Sequence, residues 1–311
     1  MRYYPAKNDL PSPHRVNLAI EEAFREYGEG RVRMPPKIYV TFEKGDFRTM
    51  PAYLPGIGIA GVKIVNVHPE NPKIGLPTVM ALTVVLDPAT GMPEAVLNAT
   101  ALTDLRTGAA GAVAARHLSP KRRVVLGVVG SGRQAAAQVD AIADVLEVTE
   151  VKVWSRTPAN AEAFCRRCEG LACDTVSLEK ACDADVIVTT TPSRTPVIMS
   201  EWVHEGTHIN AIGADAPGKE ELDPALLLRS RVFVDDPEQA LHSGEINVPV
   251  SMGLFTGEMI SGTLGDIVCG RKKRENRDEI TLFDSTGLAI QDLAIAALVM
   301  KTGDGIDLPF P

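Results

Sequence analysis

The sequence predicts an α/β chain of two domains, one a doubly wound parallel sheet and the other a separate α+β domain. Three observations predict this. The stretch from Val124 to Ala135, VVLGVVGSGRQA, runs from buried-strand residues through a glycine turn into a helix. Beyond it short apolar runs alternate with helical patterns, the signature of parallel strands joined by crossover helices, whereas the residues before Thr103 read mostly as hairpins. At 311 residues the chain also exceeds the usual size of one domain, so two cores are expected.

Taken in order, VNLAIEEAFREY puts Val16, Ala19, Ile20, Ala23, Phe24 and Tyr27 on one helical face, and Gly28 and Gly30 end that helix. Residues Lys37 to Phe42, a turn at Lys44-Gly45-Asp46 and a return from Phe47 to Leu54 predict a hairpin. Further strands are expected at Gly61 to Val67, Leu76 to Leu86 and, after a turn from Asp87 to Gly91, Pro93 to Asn98. Thr103 to His117, rich in alanine and glycine, predicts a helix with a small face that packs closely on a neighbour. The charged linker Ser119 to Arg123 marks the domain boundary. Strands then follow at Val124 to Val129, Glu150 to Ser155, Val186 to Thr190, His208 to Ile212, Val232 to Val234 and Thr281 to Phe283. Helices intervene at about Ala135 to Leu146, Pro158 to Cys168, Ser177 to Cys182 and Pro224 to Ser230. The last helix, Gly287 to Met300, is expected to be amphipathic and to return to the first domain. The domains are thus residues 1–118 with about 288–311, and residues 119–287.

Composition excludes several functions. A net charge of −8 argues against a surface that tracks nucleic-acid phosphates, and the basic run Arg271 to Arg274 is followed by Glu275 and Asp278, as in a solvated loop or helix end. No apolar run reaches the ~18 to 20 residues of a membrane span, and the start lacks a signal-peptide core, so no membrane partner and a cytoplasmic location are expected. Four of five cysteines crowd residues 165–182, but Cys165-x-x-Cys168 has no second pair or histidines to complete a zinc set. Reduced, partly buried thiols and no metal are expected. No H-E-x-x-H, P-loop or G-x-S-x-G occurs.

The order strand, G-x-G-x-x-A, helix is the Rossmann-type dinucleotide fingerprint in the context it requires. Gly130 permits the tight turn, Gly132 lets backbone approach a pyrophosphate, and Ala135 keeps helix and strand close. Amides at the helix start, around Arg133 and Gln134, would meet the phosphates. Such turns also occur without a ligand, so the neighbours decide. About 20 residues on, where this fold reads the adenosine ribose, stand Ser155, Arg156 and Thr157. Hydroxyls and a guanidinium suit a 2′-phosphate where an acid would repel it, which favours NADP(H) over NAD(H). Alternatively Arg156 is a solvent-facing residue at a helix entry. The loops Thr189 to Ser193, with Thr190, Thr191 and Pro192, and Asn210 to Asp215, with Ile212 and Gly213, should face the nicotinamide side, outside the carboxyl ends of their strands. Asp215, flanked by small residues, is either a proton-shuttling carboxylate or a turn or cap aspartate. Lys37, Arg48, Lys63 and Arg106 each sit in apolar or small-residue surroundings. Converging on a cleft they would suit a substrate carboxylate; singly each also fits a surface lysine or a structural ion pair.

These residues resemble the ornithine cyclodeaminase and mu-crystallin family, and within it most closely the archaeal alanine dehydrogenases. The matching stretches are MPPKIYV with FEKGDFRTMPAYL, AGVKIVNVHPENP with GLPTVMAL, LTDLRTGAAGAVAARHL, GVVGSGRQA, VTTTPS, EGTHINAIGADAPGKEEL, SGEINV and ITLFDSTGLAIQDLA, from about residue 20 to 300. The first ~18 residues depart, with Pro5, Pro11 and Pro13 where relatives carry a strand and a helix start.

The resemblance implies a homodimer built through the non-nucleotide domains, and a site between the two domains of each subunit. It implies that Lys63 is the catalytic lysine near the substrate carboxylate, Arg106 an arginine touching substrate and cofactor, and Asp215 the acid that activates an amine or a water. It adds Thr107 and Ser285 as cofactor contacts. Arg48 lies two before Met50, where the ornithine-cyclising members carry a glutamate. An arginine there would repel the ornithine side-chain ammonium and matches, with Lys37, the alanine dehydrogenase pattern. At 155–157 the archaeal NAD-linked relatives are acidic, whereas Ser-Arg-Thr resembles the NADPH-linked mu-crystallin type. The implied reaction interconverts L-alanine, or a similar small amino acid, with pyruvate and ammonia through an imine. Other readings are an NADPH-dependent reductase of cyclic ketimines such as pyrroline-2-carboxylate, an ornithine cyclodeaminase, and an NADPH-dependent small-molecule binder.

Overall fold

The computed structural model describes residues 1–6 and 10–310. The chain forms two compact units, Met1–Arg106 with Leu288–Pro311, and Thr107–Gly287. The first opens with β1 (Arg2–Tyr4) and α1 (Pro13–Gly28). The amino-terminal prolines displace neither element: Pro13 takes the first helical position, where its missing N–H costs nothing and its fixed φ suits the helix, so α1 begins ahead of Val16. Strands β2 (Ile38–Phe42), β3 (Gly45–Leu54), β4 (Ile59–Val67), β5 (Val79–Leu86) and β6 (Pro93–Asn98) form an antiparallel meander. β5 starts at Val79 rather than Leu76, because Pro77 lacks a ladder donor and its carbonyl accepts from Asn71 in a turn. Helix α2 (Thr100–Leu118) follows and is buried from Arg106 to Ala115.

The second unit contains β7 (Arg123–Val129), α3 (Arg133–Val145), β8 (Glu147–Trp154), α4 (Pro158–Cys165), β9 (Cys173–Thr175), α5 (Leu178–Cys182), β10 (Val186–Thr189), β11 (Arg194–Ile198), β12 (His208–Ala211), β13 (Glu220–Leu222), α6 (Pro224–Leu228), β14 (Ser230–Val234), α7 (Pro237–Ser243), α8 (Asn247–Ser251), β15 (Ile260–Thr263), α9 (Leu264–Val268) and β16 (Ile280–Asp284). Its main sheet has the order β15-β14-β16-β12-β10-β7-β8-β9, all parallel. Both faces are covered. Val124, Leu126, Val128, Val186 and Val188 pack with alanines of α2, α3 and α4, while the alternate residues Ile187, Ile209 and Leu282 pack with α5 and α6. The chain leaves β7 in one direction for β8 and returns on its other side for β10, so the sheet is doubly wound with its switch point between β7 and β10.

Three expectations are corrected. The boundary at 118/119 moves into α2, whose carboxyl-terminal part packs with the second unit: a Cβ on Gly108 would collide with the Ala137 carbonyl, and one on Gly111 with the Gln138 amide. Helix α4 stops at Cys165, short of Cys168, because Cys168 N closes a turn onto Cys165 O ahead of Gly170, which adopts φ 79°. The last helix, α10 (Ala289–Thr302), is not amphipathic. It packs against α1 on one side and β3, β4 and β5 on another, so even Gln291 and Asp292 are buried. With β17 (Ile306–Asp307) it completes the first unit, whose sheet order is β17-β1-β6-β5-β4-β3-β2. Among the described residues no helix is long and apolar enough to cross a membrane, and no group of three His, Cys, Asp or Glu could hold a metal ion.

Candidate active site

In the first unit, pleating puts Arg48 and Met50 of β3 on the same face as Lys63 of β4, since Met50 pairs with Lys63 and Arg48 with Val65. This is the face that α10 covers: a Cβ on Gly61 would lie 3.1 Å from Leu293. Lys63, 1% exposed, donates from Nζ to Asp292 Oδ1 at 2.8 Å, and Arg106 Nε lies 3.1 Å from the same oxygen. Arg106 Nη1 also donates to Gln291 Oε1 at 2.6 Å. Two buried cations therefore share one carboxylate, and the balance is positive, as recognition of an anion requires. Burial first, and then the Arg106 cation, bring the Lys63 ammonium down to about 7 against the pull of Asp292, and Lys37 adds to the lowering. Arg48 is buried, stacks over Tyr39 at 5.2 Å from the ring centroid and pairs with Asp46 at 3.0 Å.

In the second unit, the turn after β7 adopts φ 114° at Gly130, and a Cβ there would lie 2.5 Å from Thr190 Oγ1. Only glycine fits. Gly132 precedes α3 without a side-chain cap, which leaves the first amides of that helix to a ligand. A cavity of about 310 Å³ opens over this turn, lined also by Ser155, Arg156, Thr157, Asn160, Thr190, Thr191 and Pro192. Ser131 donates to Ser155 at 3.0 Å. A second cavity, of about 180 Å³, is lined by Gln134, Thr190, Thr191, Pro192, Ile212, Gly213, Asp215 and Lys219. Asp215, its side chain 38% exposed, forms an ion pair with Lys219 at 2.6 Å. The Ser285 hydroxyl, just beyond β16, is buried without a hydrogen-bond partner.

The structure thus brings the predicted residues into three groups: Lys63 and Arg106, with Arg48 and Met50 on their sheet face; the glycine turn with Ser155 to Thr157; and the loops after β10 and β12 with Gln134 and Asp215. Thr107, Arg133 and Ser285 line neither cavity. Thr107 is buried in α2, its carbonyl accepting from Gln138 at 2.8 Å, and Arg133 is exposed at the start of α3. Sequence reasoning missed Asp292, Gln291, Lys219 and Glu221. A lone acid inside the apolar run AIQDLAIAALVM was the available signal for Asp292, because such an acid needs a partner. Lys219, four residues after Asp215, carried a weaker one.

Glu221 is fully buried. Its Oε1 accepts from Thr189 Oγ1 at 2.6 Å and Thr191 N at 2.5 Å, and its Oε2 from Gly213 N at 2.8 Å. The cysteines carry no such arrangement: Cys173 Sγ lies 2.6 Å from Cys165 Sγ, all five are free thiols, and burial raises the pKa of Cys168, Cys173 and Cys182.

A doubly wound sheet with a glycine turn at its switch point, a helix start without a side-chain cap and a cavity over both define a Rossmann-type dinucleotide-binding protein. Residues 12–304 match the ornithine cyclodeaminase/mu-crystallin family. The chain is 53% identical to an alanine dehydrogenase of Archaeoglobus fulgidus over 91% of its length and 88% of that protein's. Among solved structures it resembles an archaeal alanine dehydrogenase dimer with bound NAD, with a TM-score of 0.94 and 49% identity over 99% of both chains. It also resembles the Δ1-pyrroline-2-carboxylate reductase of Thermococcus litoralis in complex with NADH and L-proline, with a TM-score of 0.95 and 35% identity over 99% of this chain and all of the other. The chain belongs to the ornithine cyclodeaminase/mu-crystallin family and is a nicotinamide-dependent dehydrogenase or reductase within it.

Proposed function

We propose that this protein interconverts L-alanine, or a similar small amino acid, with pyruvate and ammonia. The observation that carries the reading is the buried pair Lys63 and Arg106 around Asp292, with the Arg48 guanidinium on the same sheet face. This group holds the substrate carboxylate, and Arg48 disfavours a second amino group on the substrate, as in ornithine. The second unit holds the dinucleotide: Gly130, Gly132 and the first amides of α3 take the pyrophosphate, and Thr190, Thr191, Pro192, Ile212 and Gly213 border the nicotinamide. The residues present fit that group, since Gly130 admits no side chain and the cavity lies over the turn. When bound, the nicotinamide accepts a hydride from the amino acid or returns one to the imine. Asp215, paired with Lys219, takes the proton from the water that adds to the imine, and Lys63 assists as a near-neutral acid or base.

The cofactor reading is NADP(H). Among the described residues no carboxylate lines the cavity over the glycine turn, where Ser155, Arg156 and Thr157 offer hydroxyls and a guanidinium to a 2′-phosphate. A homodimer is supported by the outer face of the first sheet. The cross-strand set Ile38, Thr49, Ile64 and Leu82 points away from α10, with Ile38, Ile64 and Leu82 exposed. A second copy is the occupant in this reading, and the solved archaeal alanine dehydrogenase is a dimer.

A second reading, reduction of a cyclic ketimine such as pyrroline-2-carboxylate, is favoured by the likeness to the Thermococcus litoralis enzyme and needs the same carboxylate clamp without ammonia exchange. One panel separates the two: purified protein with pyruvate plus ammonia, pyrroline-2-carboxylate, or ornithine, each with NADH and NADPH. Ammonia-dependent pyruvate reduction is expected. Reduction of the cyclic imine alone, or pyruvate consumption without ammonia, overturns the alanine reading.

A further inference from the structure

We propose that Glu221 is a positioning residue for the nicotinamide end of the cofactor, its carboxylate tying the loops after β10 and β12 into one register. Every group it meets is a donor: the Thr189 hydroxyl and Thr191 amide on one oxygen, the Gly213 amide on the other. Three donors and no acceptor match a carboxylate ion, whereas an acid would set its own proton against one of them. The loops approach so closely that a Cβ on Gly213 would collide with both the Thr191 carbonyl and Glu221 Oε2. The gap is therefore set by the carboxylate that spans it.

Burial raises the Glu221 pKa and its three donors pull it back down, while the neighbouring acid is pushed up further. Glu245, also fully buried, accepts from the Glu221 and Leu222 amides on one oxygen only, and its other oxygen has no partner. Burial, Glu221 and Asp284 push Glu245 well above the usual carboxylate range, so it is the member of the pair that keeps a proton. The two loops that Glu221 ties carry Thr190, Thr191, Pro192, Ile212, Gly213 and Asp215, which line the smaller cavity.

The inference rests on the dinucleotide reading of this sheet edge but not on any substrate. Glu221→Gln keeps size and one acceptor, and turns an NH2 group towards a backbone N–H. The expected result is NADPH or NADH binding, titrated by fluorescence without amino acid, weakened about tenfold or more, the scale of a lost charge-assisted hydrogen bond. Amide hydrogen exchange of the unliganded protein should rise at residues 189–193 and 212–215 and stay unchanged along β7, β8 and β16. Should that variant not fold, Thr189→Val removes one of the three donors at nearly constant volume and is expected to shift both readouts in the same direction. Binding within about twofold of wild type with unchanged loop exchange overturns the inference. A uniform rise in exchange across the sheet also overturns it, since that marks a purely structural role. If wild-type protein binds neither dinucleotide, the functional reading fails, and the exchange data still decide whether Glu221 ties the loops.

Discussion

Lys63 shows what burial does to one charge. Its pKa falls from an ordinary 10.5 to about 7. Between these values the unfolded chain binds the extra proton, so unfolding free energy rises with pH from about 7 upward, and the penalty of the buried ammonium is fully present below. Lys63→Met is expected to flatten that rise, measured as the difference in denaturation midpoint between neutral and alkaline pH. Asp292 opposes the lowering, so Asp292→Asn should move the lysine titration to lower pH, followed by the 13Cε shift of Lys63. An unmoved titration would deny Asp292 its role. At the other site, Arg156→Ala is expected to weaken NADPH binding by about 1 to 3 kcal/mol with little change for NADH; equal losses would remove the 2′-phosphate reading. Lys63 and Arg106 were legible because cations among apolar residues stand out. Their partner Asp292 was not, because an amphipathic reading of the helix that carries it leaves a polar face where an acid needs no partner.

Elements were legible in proportion to their length and periodicity. The strand, glycine turn and helix from Arg123 to Val145 follow the prediction closely, because the positive φ of Gly130 is a local demand that glycine meets. Gly130→Ala should abolish dinucleotide binding and destabilise the unit, by about 1 kcal/mol for the backbone conformation and further for the collision, measured by titration and by denaturation. Retained affinity would place the pyrophosphate elsewhere. The short strands β9, β11, β13 and β15 escaped, since three to five residues carry no period and are defined by the neighbour they pair with. Helix α10 was placed but its character was not: a helix buried on several sides presents an apolar surface all round.

For the whole molecule, the exposed Ile38, Ile64 and Leu82 form the apolar patch that a second copy would cover. Leu82→Glu should convert a dimer into a monomer by analytical ultracentrifugation while the far-ultraviolet spectrum persists; a wild-type monomer would sink the reading. Which residues belong together at this scale escaped the sequence in one place. The linker at 119–123 looked like the boundary because it is charged, yet the small residues Gly108 and Gly111 commit the end of α2 to the second unit.

By itself the sequence determined the two-unit α/β architecture, the dinucleotide turn, the family and the cations Lys63 and Arg106. These are carried by periodicity, by backbone conformations that only glycine adopts and by residue types out of place in apolar runs. Only the tertiary structure decided that Asp292 stands between Lys63 and Arg106, 229 residues along the chain from the lysine, and that Glu221 joins two loops whose strands pair side by side. A carboxylate's partners are set by what folding brings within hydrogen-bond distance, and no spacing in the chain encodes that.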